Sequence, residues 1–86
     1  MIKEIKEALE FMDIPPISSI KDIKRQYKKL AQKYHPDVIG NDEKMNRLNE
    51  SYKILMEYCQ NYKFTFDEYE IKKQYPDSFY KNKFRF

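Results

Sequence analysis

Ile23-Lys24-Arg25-Gln26-Tyr27-Lys28-Lys29-Leu30-Ala31-Gln32-Lys33-Tyr34-His35-Pro36-Asp37 carries two patterns at once. With Ile20 added, Ile23, Tyr27, Leu30, Ala31 and Tyr34 recur at three- and four-residue steps, so at about 100° per residue they share one stripe of a helix. Lys21, Lys24, Arg25 and Lys28 fall together on a neighbouring arc of roughly 100°. The segment is therefore a helix that is half core and half cationic blade. Ser18 and Ser19 offer N-cap oxygens at its start. Pro36 sets its end: the residue before a proline is disfavoured in α conformation, so His35 should already be leaving the helix.

The same periodicity runs outward in both directions. Upstream, Ile2, Ile5, Leu9 and Met12 mark a first helix that Pro15-Pro16 forbids from continuing, and which should end near Asp13. Downstream, a short loop from His35 to about Asn41 contains the only glycine, Gly40. Asn41 is placed to cap a third helix in which Met45, Leu48, Tyr52, Leu55, Cys59 and Tyr62 keep helical steps. A loop this short predicts helices two and three as an antiparallel pair. After Phe64-Thr65-Phe66, the Asp67 to Glu70 spacing resembles a capping box, opening a short helix that Pro76 terminates. For Asp77 to Phe86 the expectation is one more helical turn packing Phe79 and Tyr80 onto the domain.

Composition agrees with an all-α reading. At 86 residues the chain is one domain, and a large enzyme fold is excluded. Tyr 8 and Phe 6 without any Trp imply an aromatic core, while one Gly, four Pro and 36% charged residues suit solvent-facing helices better than a sandwich, collagen or a disordered tract. One cysteine, Cys59, permits no intramolecular disulfide, and one histidine, His35, cannot build a Cys/His zinc site. No metal or cofactor is expected, and a lone thiol fits a reducing, cytoplasmic setting. No apolar run has the length of a membrane span, and Met1-Ile2-Lys3-Glu4 does not open a signal peptide. A monomer is expected.

The net charge of +3 is unevenly laid down. Residues 1–20 carry −2, residues 21–36 carry +5, and residues 37–86 are neutral. The whole excess lies on the helix that leads to His35-Pro36-Asp37. Charge concentrated in this way steers partners and says little about fold. The tripeptide has a plain reading of its own: Pro36 stops a helix, His35 sits at the carbonyl end of the dipole, and Asp37 makes a turn.

The stretch Ile23 to Asp37 strongly resembles the J-domain of DnaJ-like co-chaperones, in which a basic second helix runs into His-Pro-Asp. The run Met45-Asn46-Arg47-Leu48-Asn49-Glu50-Ser51-Tyr52-Lys53-Ile54-Leu55 resembles the family's third helix, with Ser51 at the small position and Tyr52 at the aromatic one. Leu9 to Ile14 occupies the place of the first helix, so that the likeness covers roughly residues 7 to 62. It divides the chain into a J-domain over 1–62 and a C-terminal extension over 63–86.

The resemblance implies a helical hairpin that presents its motif to a DnaK-type heat-shock chaperone and stimulates that chaperone's ATP hydrolysis, assisting protein folding or client loading without catalysing anything itself. By position, Asp37 would pair with an arginine of the ATPase, His35 would act as an oriented donor or packing group, and Pro36 would fix the loop. Lys24, Arg25, Lys28 and Lys29 would meet an acidic surface, and Tyr27 would be part core and part contact. Nothing in these residues resembles the glycine/phenylalanine-rich, zinc or client-binding regions of full-length DnaJ, so client binding of its own is not expected. The segment after Tyr62 departs from the family's basic fourth helix.

Other readings compete. His35 and Asp37 have no Ser or Cys beside them, and Cys59 lies on an apolar stripe where an inert thiol is expected, so no catalytic residue is assigned. The alternating aromatic and basic residues from Tyr80 to Phe86 are either core cover or a docking arm for a further protein partner, a membrane surface or nucleic acid. The main alternative is a basic helical nucleic-acid-binding module. Its stripe of four cations is modest, and no group of arginines or asparagines suggests base reading.

Overall fold

A computed structural model describes residues 1–35, 40 and 42–75. Within them lie four helices and no strand: α1 (Ile2–Met12), α2 (Ile20–Lys33), α3 (Asp42–Asn61) and α4 (Glu68–Gln74). The all-α expectation holds. Asn41 as a cap, Pro76 as a terminator and the turn at Phe79-Tyr80 lie outside the described residues.

Each helix ends for a local reason. Asp13 follows α1 in the left-handed region at φ 53°, its N–H donates to Glu10, and the Ile14 N–H reaches back to Leu9 at 2.9 Å. These paired bonds satisfy carbonyls that the next turn would otherwise have bonded, and they turn Ile14 into the core, where it is buried. Ser19 caps α2 reciprocally: its hydroxyl accepts from the Asp22 N–H at 3.1 Å, while the Asp22 carboxylate accepts from the Ser19 N–H at 2.9 Å. At α4 the cap is one-sided. Asp67 accepts from the Glu70 N–H, but the Glu70 carboxylate turns outward to Lys73 at 3.1 Å. Tyr75 is already extended, as the residue before a proline prefers.

The core is small and gathers around α3. Ala8 and Met12 of α1, Ile14, Ile23 of α2, and Leu48 and Leu55 of α3 are buried together, with Ser51 beside them. α3 runs antiparallel to α2, since Tyr34 meets Lys44 near one end and Tyr27 meets Tyr52 further along. It runs antiparallel to α1 as well: Phe11 lies under Arg47, while Met1 shares a cleft with Tyr58. Ile2 departs from expectation and is 74% exposed. Buried Ala8 and Met12, with half-buried Ile5, centre the true stripe roughly 90° away from it. Cys59 is half-buried on α3 and Tyr62, just past the end of α3, is exposed. α4 buries none of its residues.

A cationic helix face ending in an exposed histidine

The site is built on α2. Ile23 faces the core while Tyr27, Leu30, Ala31 and Tyr34 pack around it, which leaves Lys21, Lys24, Arg25, Lys28 and Lys29 exposed on the other side. One acid interrupts the row. Asp22 lies 3.5 Å from the Arg25 guanidinium, in a pair exposed enough to contribute little to stability. The Ser19 N–H, then its hydroxyl, and more weakly the charges of Arg25 and Lys21, hold the Asp22 carboxyl below its usual range.

The far end of α2 is fastened differently. The Tyr34 N–H closes the last turn on Leu30 at 2.9 Å, and Tyr34 itself leaves helical geometry at φ −101°, ψ 31°. His35 follows outside the helix and is exposed, as the proline rule predicts. Pro36 and Asp37 lie outside the described residues. Gly40 has φ +90°, a conformation for which glycine alone carries no steric penalty.

Tyr27 is tied to the third helix. Its ring stacks on Tyr52 with centroids 4.2 Å apart, and its hydroxyl donates to Asn49 Oδ1 at 2.6 Å. Gln26, also on α2, donates to the Met12 carbonyl at 2.9 Å, fixing α2 against the end of α1. Single-helix periodicity did not reveal the cluster at the other end of α2. Phe11 stacks on Tyr34 at 6.1 Å, and Arg47 lies 4.5 Å above the Phe11 ring. An aromatic one step off the α1 stripe was the only hint of it. Among the described residues no group of acids, histidine and cysteine has the geometry of a metal site, and no helix is long and apolar enough to cross a membrane.

Comparison with known proteins agrees with this architecture. The family model described as the DnaJ domain matches residues 7–64. A curved DNA-binding protein of Pseudomonas syringae pv. tomato is 38% identical over 55 residues, covering 60% of this chain and 18% of that protein. A chaperone protein DnaJ of Limosilactobacillus reuteri is 48% identical over 52 residues, covering 54% of this chain and 14% of that one. A chaperone protein DnaJ 2 of Synechocystis is 33% identical over 58 residues, with 63% and 19% covered. The chain thus spans less than a fifth of the length of these relatives. No solved structure matches it.

Proposed function

The chain belongs to the DnaJ-domain family, and from that premise we propose that it is a co-chaperone that docks on the ATPase of a DnaK-type heat-shock chaperone and stimulates its ATP hydrolysis. One observation carries the reading: α2 exposes Lys24, Arg25, Lys28 and Lys29 along its length and releases His35, also exposed, at its end. In this reading the cations speed and orient the encounter with an acidic surface. His35 then acts at the contact itself, beside an Asp37 that pairs with an arginine of the ATPase and a Pro36 that lowers the entropy lost on docking. Tyr27 contributes by its ring edge, since its hydroxyl is engaged by Asn49. In this reading hydrolysis is the partner's chemistry.

The test is a steady-state ATPase assay with a cytoplasmic DnaK-type chaperone. Wild type should raise the hydrolysis rate and His35→Gln should not. An unstimulated chaperone, or a His35→Gln variant as active as wild type, overturns the proposal.

A second reading is favoured by the name of one relative, the curved DNA-binding protein. Under it the α2 cations contact phosphates. Duplex DNA binding that falls steeply with salt, is lost on neutralising Lys24, Arg25 and Lys28, and ignores His35→Gln would select this reading over the first.

A further inference from the structure

Tyr34, the residue before His35, is held from three helices. On its own helix Lys33 places its ammonium 5.7 Å from the ring centroid, and Lys44 of α3 does the same at 5.7 Å. Phe11, from the last turn of α1, stacks against it with planes 27° apart. Over the Phe11 ring sits Arg47 of α3, whose guanidinium is 4.5 Å from the ring centre. The result is a stack of successive ring contacts, Arg47 on Phe11 and Phe11 on Tyr34, that leads to the backbone of His35.

Phe11 and Tyr34 pack against the core, yet two features set this stack apart. Arg47 is exposed and Phe11 only half-buried, so deleting the guanidinium opens no cavity. The stack also lies apart from the cationic row, since Lys24, Arg25, Lys28 and Lys29 make none of its ring contacts. A planar, weakly hydrated guanidinium suits the face of an aromatic ring better than an ammonium does.

We propose that Arg47 and Phe11 are positioning residues: they hold Tyr34, and through it His35, in the orientation that couples docking to stimulation. This inference rests on the co-chaperone reading above. The chaperone meets the α2 cations whether or not His35 is aligned, so loosening the stack leaves encounter unchanged and lowers the productive fraction of the complexes formed.

The distinction is measurable. Loss of folded protein lowers the active concentration and moves the apparent half-saturating concentration while leaving maximal stimulation intact. Loss of positioning does the reverse. For Arg47→Gln we expect maximal stimulation to fall by about two- to five-fold, the change that loss of one exposed cation–π contact produces. The half-saturating concentration should stay at the wild-type value, and Arg47→Lys should recover part of the loss. In the free protein, the Tyr34 ring and His35 amide resonances should shift in Arg47→Gln while those of Leu55 do not. A wild-type plateau, a shifted half-saturation with an unchanged plateau, or unmoved Tyr34 and His35 resonances overturns the proposal. A wild type that stimulates nothing fails the co-chaperone reading instead, and the resonance shifts still decide whether the stack positions His35.

Discussion

The Tyr27 ring of α2 lies 4.2 Å from that of Tyr52 on α3, the two planes inclined by 26°, and the Tyr27 hydroxyl donates to Asn49 one turn away. Packing and a hydrogen bond are thus separable at one side chain. Tyr27→Phe keeps the ring and should cost about 0.5–1.5 kcal/mol in a urea melt. Tyr27→Ala removes both and should cost about 2–4 kcal/mol, toward the lower end for a buried aromatic because the ring is only half covered. If the hydroxyl serves the fold alone, Tyr27→Phe stimulates the chaperone as well as wild type.

Leu55 is buried at 3% exposure between α3 and its neighbours. Leu55→Ala should destabilise by about 2–5 kcal/mol. In a domain this small that lowers Tm by roughly 8 °C or more. Leu55→Met conserves volume and should cost less than about 1.5 kcal/mol. Equal melting temperatures for the alanine variant and wild type would contradict the packing described.

Asp13 occupies the left-handed region at φ 53°, where a side chain is penalised and glycine is not. Asp13→Gly should therefore raise stability by about 0.5–1 kcal/mol, read as a rise of a few degrees in Tm, and Asp13→Ala should lower it. At Gly40, φ +90° reverses the argument: Gly40→Ala meets no steric neighbour yet should cost about 1 kcal/mol through backbone strain alone.

Hydrogen bonds from the Ser19 N–H and hydroxyl lower the Asp22 pKa below its usual value of 3.8, and bonds from the Glu70 N–H and the Thr65 hydroxyl do the same for Asp67. A depressed carboxyl stabilises the fold above its unfolded pKa, and that stability is lost as the pH falls through the folded value. Helicity followed by circular dichroism should hold from neutral pH down to about 4 and decline below it. Asp22→Asn should flatten part of that decline.

Neutralising Lys24, Arg25 and Lys28 together should raise the half-saturating concentration for chaperone stimulation by about tenfold at low salt. The difference should shrink as added salt shortens the Debye length below about 10 Å. A salt-independent defect would mean that these side chains act by packing, which their exposure argues against.

Much of this was readable from residue order because helix ends are local. Pro15 and Pro16 after Asp13, Ser19 three residues before Asp22, and Asp67 before Glu70 each act within one turn, and the helices end where those residues put them. The exposed row on α2 followed from the same arithmetic. What escaped is set by the third helix. Ile2 sits on a plausible stripe, but which side of α1 is buried depends on where α3 lies, and α3 meets Ala8 and Met12 instead. Glu70 fits the spacing of a capping box, yet Lys73 one turn on competes for its carboxylate. The stack of Arg47, Phe11 and Tyr34 joins residues from three helices, and no periodicity within one helix encodes it.

None of the seven residues of α4 is buried, and Tyr69 within it and Phe64 and Phe66 before it stand 65–81% exposed. A helix of that length is far below the roughly 12–15 residues at which isolated helices persist in water, so its own cap and the Lys72–Glu68 and Lys73–Glu70 pairs carry it. Its amide protons should therefore exchange with solvent through a private opening, orders of magnitude sooner than those of Leu48 and Leu55, which wait for the whole molecule to unfold.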